Sequence, residues 1–343
     1  MPAIHAASGA LFGLAFGDAV GKDIEFTRYD TIVERYGSSG PRQLPIPALV
    51  TDDTQMALVV ARALIDYGPP PYDTHALTTA LRVGFVDWST LVEGWRAPGT
   101  TCMTSCYRLQ RSPRTPWQRL TQGRSKGNGA NMRVAPVALV PGLSDHDMAG
   151  IAQLQAAITH GHPTALAASE LTALAVRLAA EGITALDVVD ALHKRCQTRR
   201  TVYREDVLGD LASWLDPGRQ SNWIAFGWDE CREAIERLWE ALSYADDGGD
   251  ACAHLGARGG TAEDCLILAL YCAVRHPGDP VTAIARACAT SGDSDTIAAV
   301  TGAIVGATHG LDAWPAGWAE RIEYADQLAE IGEIFDAIDL PNT

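Results

Sequence analysis

Two short stretches of the chain hold most of the residue types that could do chemistry. Thr51-Asp52-Asp53-Thr54 and Asp293-Ser294-Asp295-Thr296 each place two carboxylates and two hydroxyls within four residues. Each stretch comes immediately before a run of apolar residues with helical spacing, so each is expected at the junction between a loop and a helix. Carboxylate and hydroxyl oxygens are the ligands that hard cations such as Mg²⁺, Mn²⁺ and Ca²⁺ prefer.

The same residue types also cap helices. Thr, Ser and Asp at a helix start accept hydrogen bonds from the free N–H groups of the first turn, and Asp suits the positive end of the helix dipole. Two adjacent carboxylates exceed what capping requires, because like charges repel each other unless something neutralises them. Spacing alone leaves both cation binding and capping open. A shared site would require the helix after Thr54 to pack against the last third of the chain.

Further blocks follow one another along the chain and, together with the two acidic stretches, resemble the ADP-ribosylglycohydrolase family in type and order. Any one of them alone is a weak signal, but the whole set in this order is specific and covers most of the chain. The blocks are Gly17-Asp18-Ala19-Val20-Gly21 with Glu25-Phe26 after it, Gly127-Asn128-Gly129-Ala130-Asn131-Met132-Arg133-Val134-Ala135-Pro136, Thr159-His160-Gly161-His162-Pro163, and Gly259-Gly260-Thr261-Ala262-Glu263.

This resemblance implies an all-α fold that holds two Mg²⁺ or Mn²⁺ ions and hydrolyses the bond at the anomeric carbon of the distal ribose of ADP-ribose conjugates. The expected partner is then ADP-ribose or an ADP-ribosylated protein or small molecule. Glu25 is the candidate base that takes a proton from the attacking water, and Asp53 or a water on the metal is the alternative. The implied metal ligands are Thr51, Asp52, Asp53, Asp293, Asp295 and Thr296. The implied substrate contacts are Gly127, Asn128, Gly129, Met132 and His160.

The resemblance does not select the acceptor that is released. Some branches of the family carry an additional functional aspartate near Trp95–Cys106, whereas this chain has no acidic residue there after Glu93. Arginine, serine, a nucleic-acid end and O-acetyl-ADP-ribose therefore all stay open. The alternative function is a catalytically weak member that binds ADP-ribose or serves a structural role, as the eye-lens crystallins of the family do. The presence of Glu25 and every implied metal ligand favours the enzyme.

The elements that must position these residues are predicted to be helices. Apolar residues recur at helical spacing within Ile4–Ala15, Met56–Leu64, Leu171–Leu178, Leu266–Val274 and Ile297–Val305, and alternating β-branched runs are almost absent. The prediction is an all-α fold. Glycines inside the helical patterns predict close approach of helix backbones in a compact bundle. The Gly- and Pro-rich loops are too short to tether separate domains, so a single domain over residues 1–343 is expected.

Composition narrows the partners and the compartment. The formal net charge of −15 argues against general binding to nucleic acids or anionic membranes, because a polyanion requires clustered Lys and Arg. The apolar stretch Ile297–Ala307 is far shorter than the roughly 20 residues of a spanning helix. The eight cysteines form no CxxC pair, which favours a reduced, cytoplasmic setting. Asp246, Asp247 and Asp250 lack the spacing of a calcium-binding loop and are expected in a solvated loop.

Overall fold

The computed structural model describes residues 3, 5–91, 96–216 and 220–337. Ile4 and Glu93, on which two of the sequence interpretations depend, lie outside the described residues. The predicted all-α class is confirmed, because the described part of the chain contains α-helices, short 3-10 turns and isolated bridges but no β-strand. The α-helices are α1 (Ala6–Gly21), α2 (Tyr29–Tyr36), α3 (Asp52–Tyr67), α4 (Thr74–Thr90), α5 (Thr100–Arg111), α6 (Ala135–Leu139), α7 (Asp145–Ala157), α8 (Pro163–Ala180), α9 (Ala185–Arg199), α10 (Glu205–Leu208), α11 (Leu211–Leu215), α12 (Gln220–Ser243), α13 (Ala251–His254), α14 (Ala262–Arg275), α15 (Pro280–Cys288), α16 (Ser294–His309), α17 (Trp318–Arg321) and α18 (Ala325–Asp336).

At the centre of the fold, α1 and α16 lie side by side with their backbones in contact. Nearly every residue of both helices is buried. A Cβ atom on Gly302 would lie 1.9 Å from the carbonyl oxygen of Gly13, and one on Gly306 would lie 2.0 Å from that of Gly9. Carbon and oxygen atoms normally approach no closer than about 3.3 Å, so only glycine fits at these crossings. The predicted close approach of helix backbones is confirmed here.

The two central helices run antiparallel, so the end of α1 lies beside the start of α16. A Cβ atom on Gly21 would lie 2.6 Å from the Cα atom of Asp295. The opposite end of α1 is fixed by Asp336 in α18, whose carboxylate accepts hydrogen bonds from the N–H groups of Ala7 at 2.9 Å and Ser8 at 3.0 Å. The glycine contacts therefore set the register of α1 against α16, and α18 holds the start of α1.

The remaining helices cover this central pair. α8 and α14 are buried over most of their length and pack against α16. Outer helices present one apolar face, as α9 does with Val188, Val189, Leu192 and Cys196. Among the described residues, no helix has the length and apolarity required to span a bilayer. All eight cysteines are buried and unpaired.

The aspartates of the 246–250 segment differ from the solvated loop that the sequence predicted. Asp246 forms an ion pair of 3.1 Å with Arg286, whose side chain is almost fully buried. The side chain of Asp250 accepts a hydrogen bond from the N–H of Cys252 and caps the short helix α13. Only Asp247 is largely exposed, beside His254. The solvated loop was predicted because these aspartates lie among glycines, a composition that gives no sign of an ion pair or a helix cap.

Candidate active site

A single cavity of about 190 Å³ collects every predicted site residue except Thr51. Its wall consists of the starts of α3, α5 and α16, the segment after α1, and the loop that precedes α6. The predicted residues that line it are Glu25, Asp52, Asp53, Gly127, Asn128, Gly129, Met132, His160, Asp293, Asp295 and Thr296. Ala97, Gly99, Thr100, Thr101, Cys102 and Gly260 complete the lining.

The start of α16 contributes a cluster of carboxylates to this cavity. Asp293 occupies the N-cap position of α16 but makes no capping hydrogen bond. Its Oδ2 atom instead accepts a hydrogen bond of 2.9 Å from the side-chain amide of Asn128. Asp293, Asp295 and Glu25 each place one carboxylate oxygen within 4.8 Å of the others. Helix capping therefore does not account for Asp293.

Asn128 was expected to contact the substrate, and the structure shows that its side-chain amide hydrogens have protein partners. Besides Asp293, the Nδ2 atom donates to the carbonyl oxygen of Gly259 at 3.1 Å. Because an amide nitrogen carries two hydrogens, both are occupied by these contacts. The side chain of Asn128 thus holds a carboxylate in place, although the residue still lines the cavity.

At the start of α3, the residues of the first acidic stretch divide between helix capping and lining of the cavity. Thr51 is the N-cap residue, and its hydroxyl oxygen accepts a hydrogen bond from the N–H of Asp53 at 3.3 Å. Asp52 and Asp53 instead line the cavity, where the Oδ2 atom of Asp53 is buried and has no hydrogen-bond partner among the described residues. A carboxylate oxygen without a partner is costly to bury. Capping thus describes Thr51, while the two aspartates face the cavity.

Asp18 is a site residue that the sequence interpretation did not single out. It lies in the last turn of α1, fully buried, and its carboxylate accepts hydrogen bonds from the N–H of Thr51 at 2.9 Å and the N–H of Thr54 at 3.1 Å. The hydroxyl of Thr54 donates to it as well, at 2.6 Å. Burial raises the pKa of Asp18 to about 6, and these hydrogen bonds limit the rise. The detectable signal was an acid at the end of a helix that is otherwise apolar or small.

The segment that carries Glu25 is fastened to the start of α16 on both sides. The N–H of Phe26 donates to the carbonyl oxygen of Gly292 at 2.9 Å. The hydroxyl of Ser294 has the carbonyl oxygen of Ile24 as its nearest acceptor, at 3.2 Å, and those of Thr290 and Gly292 lie at 3.4 Å. Phe26 has a φ of 50°, a left-handed conformation that is unfavourable for a bulky residue and is held by such contacts. Ser294, which was predicted to be part of an acidic motif but not a ligand, thus positions Glu25.

The buried carboxylates of the cavity favour the binding of protons or cations. Burial, and then neighbouring carboxylates, raise the pKa of Glu25 to about 7. Burial is also the main reason why the pKa of Asp52 rises to about 8. The pKa values of Asp53 and Asp295 lie well above their usual range, first through burial and then through the charges of the other carboxylates. Within the described part of the chain, no Lys or Arg lines the cavity.

This donor set fits a hard divalent cation. The converging atoms are oxygens, several are buried, and one oxygen of Asp53 has no partner. A nearby divalent cation favours the ionised form of each carboxylate and so offsets the cost of crowding them together. These residues could therefore hold Mg²⁺ or Mn²⁺ between α3, α16 and Glu25.

The opposite wall consists of the glycine loop and His160. A Cβ atom on Gly129 would lie 3.0 Å from both the Cε1 atom of His160 and the sulfur of Cys102. Lys126, just before the loop, forms ion pairs with Glu263 at 2.6 Å and Glu230 at 3.0 Å. His160 is fully buried, and burial together with the charge of Arg133 lowers its pKa to about 3. This wall therefore presents backbone groups and a neutral imidazole.

Comparison with known proteins finds similarity to one family over nearly the whole chain. The model of the family described as ADP-ribosylglycohydrolase matches residues 2–342. The chain is 26% identical to the ADP-ribosyl-dinitrogen reductase glycohydrolase of Rhodospirillum rubrum, over 94% of this chain and 92% of that protein. It is 23% identical to an ADP-ribosylarginine hydrolase of Pseudomonas putida, over 97% of this chain and 79% of that protein. It is 30% identical to an ADP-ribosylhydrolase of Mus musculus, over 60% of this chain and 56% of that protein.

A solved structure shares the fold. It is an ADP-ribosylglycohydrolase-related protein complex, with a TM-score of 0.65 and 23% identity, and the match covers 97% of each chain. At this identity the likeness concerns the fold alone.

Proposed function

Because this chain belongs to the ADP-ribosylglycohydrolase family, whose model matches residues 2–342, we propose that the residues of its cavity catalyse hydrolysis of ADP-ribose conjugates. The bond that is broken is the one at the anomeric carbon of the distal ribose. Its relatives are hydrolases of ADP-ribosyl linkages, and so is this chain. One observation carries the proposal. Carboxylates from three distant parts of the sequence, Glu25, Asp52–Asp53 and Asp293–Asp295, meet in one cavity, and no Lys or Arg of the described residues lines it.

We propose that this cluster holds two Mg²⁺ or Mn²⁺ ions. When bound, the ions would orient the ribose hydroxyls and stabilise negative charge that develops during the reaction. Thr51 would contribute only the remaining lone pair of a hydroxyl that already caps α3. The proposed ligands are Thr51, Asp52, Asp53, Asp293, Asp295 and Thr296.

Glu25 is the proposed base. It lines the cavity and is only partly buried, so water can reach it. A divalent cation bound beside Glu25 would keep its carboxylate ionised, so that it could accept a proton from water. Its carboxylate would accept a proton as the water oxygen bonds to the anomeric carbon, and the proton would then pass to the leaving nitrogen or oxygen. Asp53 is the alternative base, but it is almost fully buried, which restricts its access to an incoming water.

The opposite wall would bind the rest of the ligand. Gly127 and Gly129 carry no side chain, so a phosphate or ribose can approach their backbone closely. Met132 supplies apolar contact, and His160 can offer one hydrogen bond without carrying a charge. The backbone of Asn128 belongs to the same surface. These contacts are proposed for ADP-ribose as a whole and leave the acceptor open.

The test is turnover of Glu25→Gln on a panel of defined substrates. ADP-ribosylated arginine and serine peptides, ADP-ribosylated nucleic-acid ends and O-acetyl-ADP-ribose are each assayed with Mg²⁺, Mn²⁺ and chelator, and released ADP-ribose is measured. The variant should bind ADP-ribose normally and lose at least about 100-fold in turnover, as expected for loss of a general base.

The matched control is Asp23→Asn, which removes a largely exposed carboxylate two residues away and should leave turnover unchanged. Near wild-type turnover of Glu25→Gln would reject Glu25 as the base. Tight binding of ADP-ribose without turnover of any substrate by the wild-type protein would instead favour a non-catalytic binding role.

A further inference from the structure

Arg133 lies fully buried behind the cavity wall, and no carboxylate of the described residues lies within hydrogen-bond distance of it. Its Nε atom donates to the side-chain oxygen of Gln155 at 2.7 Å, and its Nη2 atom donates to the backbone oxygen of Gln155 at 2.8 Å. The second Nη2 hydrogen reaches the hydroxyl oxygen of Thr159 at 2.7 Å. The guanidinium also stacks over the ring of Phe85 at 4.3 Å. Its orientation is therefore fixed.

The hydroxyl group of Thr159 lies between the guanidinium of Arg133 and the imidazole of His160. Because the hydroxyl oxygen accepts from Arg133, its own single proton must find another acceptor. The candidates are the Nδ1 atom of His160 at 2.8 Å and the carbonyl oxygen of Ala156 at 3.4 Å. Only the shorter distance lies in the normal range for a hydroxyl hydrogen bond. The heavy-atom distances thus assign the proton of Thr159 to the bond with His160.

A neutral imidazole carries one proton, on either Nδ1 or Nε2. If Nδ1 carried it, the hydroxyl of Thr159 would accept from both Arg133 and His160, and its own proton would be left with an acceptor 3.4 Å away. We propose that Thr159, with one lone pair occupied by Arg133, is a positioning residue that fixes His160 as the tautomer with its proton on Nε2.

The consequence appears at the cavity wall. The Nε2 atom of His160 faces the glycine loop, since it would lie 3.3 Å from a Cβ atom on Gly129 and 3.5 Å from one on Gly127. His160 then presents a hydrogen-bond donor of fixed direction to this loop. On the proposed function, on which this step rests, the acceptor is an oxygen of ADP-ribose. Phosphate oxygens only accept, so the opposite tautomer would turn a lone pair towards them.

The tautomer is directly measurable by ¹⁵N NMR of the free protein labelled at histidine, because protonated and unprotonated ring nitrogens have well-separated chemical shifts. His160→Gln identifies the resonances by their loss. In the wild-type protein, Nε2 of His160 should be protonated and Nδ1 unprotonated. A proton on Nδ1 would overturn the proposal, and this measurement needs no substitution at Thr159.

Thr159→Val removes the hydroxyl, and Thr159→Ser restores it. The valine variant should lose the single tautomer and bind ADP-ribose about tenfold more weakly, as expected for a lost hydrogen bond of ordinary strength, while the serine variant should match wild type in both respects. Thr78→Val is the control, because Thr78 is a buried threonine that donates only to its own helix, at 2.6 Å. A valine variant that keeps both the Nε2 proton and wild-type affinity would overturn the proposal.

The two levels of inference can fail separately. If wild-type protein shows no affinity for ADP-ribose, the proposed function fails, whereas the NMR result still decides the tautomer. If ADP-ribose binds but the tautomer is the opposite one, only the role of Thr159 is lost.

Discussion

Substitution of Gly21 by alanine should displace a proposed metal ligand with little effect on the fold. Gly21 ends α1 with φ −82° and ψ −27°, a conformation that alanine adopts freely. Its new Cβ atom would lie 2.6 Å from the Cα atom and 2.7 Å from the N atom of Asp295, and 2.8 Å from the carbonyl oxygen of Ser294. Carbon atoms in contact normally lie about 3.5–4.0 Å apart, and these neighbours are backbone atoms that cannot rotate away. The start of α16 must therefore move by about 1 Å.

Two effects of different size follow from this displacement. Overpacking typically costs about 1–3 kcal/mol, and replacing glycine by alanine in a helix returns up to about 1 kcal/mol. The free energy of unfolding should therefore fall by no more than about 3 kcal/mol. Misplacement of a catalytic centre by about 1 Å can reduce turnover about 100-fold. We expect Gly21→Ala to lose turnover to that extent and to bind Mn²⁺ at least about tenfold more weakly.

The assay combines release of ADP-ribose, calorimetric titration with Mn²⁺ and denaturant unfolding. Gly278→Ala is the control, because it makes the same chemical change where no atom lies within 4 Å; all three measurements should match wild type. Wild-type turnover and Mn²⁺ affinity in Gly21→Ala would refute the reasoning that contact with α1 sets the position of Asp295.

Three further predictions concern the central helix α16 and the carboxylates of the cavity. Gly302→Ala places a Cβ atom 1.9 Å from the carbonyl oxygen of Gly13 and should lower the free energy of unfolding by about 3 kcal/mol, the upper end of typical overpacking; an unchanged denaturation midpoint would contradict it. Ser294→Ala leaves the carbonyl oxygen of Ile24 without its hydroxyl donor and should lower kcat about tenfold with ADP-ribose affinity retained; kinetics equal to wild type would reject the positioning role. Burial raises the pKa of Asp52 from 3.8 to about 8, so the folded state holds this proton more tightly than the unfolded chain, and the stability present below pH 4 is lost as pH rises towards 8. Chelated protein should therefore melt at a lower temperature at pH 8 than at pH 5, and Mg²⁺ should raise Tm more at pH 8; a chelated protein that gains stability over this range would count against the assignment.

The fold class could be predicted from the sequence because helical periodicity is a local property. The glycines within the central helices predicted the close contact between helix backbones. The resemblance to a family predicted which acidic residues lie together in the site. Spacing along the sequence could not predict this, because it says nothing about how distant helices pack. The contacts of Asp18, Ser294 and Asn128 were missed for the same reason, since each partner lies far away in the sequence. The metal ligands, the base and the single domain over residues 1–343 stay predictions, as does the cytoplasmic compartment.

The contact between α1 and α16 also dictates when the protein can fold during synthesis. α1 ends at Gly21, but the helix that covers it begins at Ser294, and the residue that fixes its start is Asp336. A helix that is buried on almost all sides in the folded protein therefore lacks its partner until most of the chain has left the ribosome. Contacts between such distant segments form slowly, and exposed apolar surface promotes aggregation in the meantime. We expect nascent chains that stop before α16 to depend on chaperones, and the cavity to be among the last parts of the molecule to form.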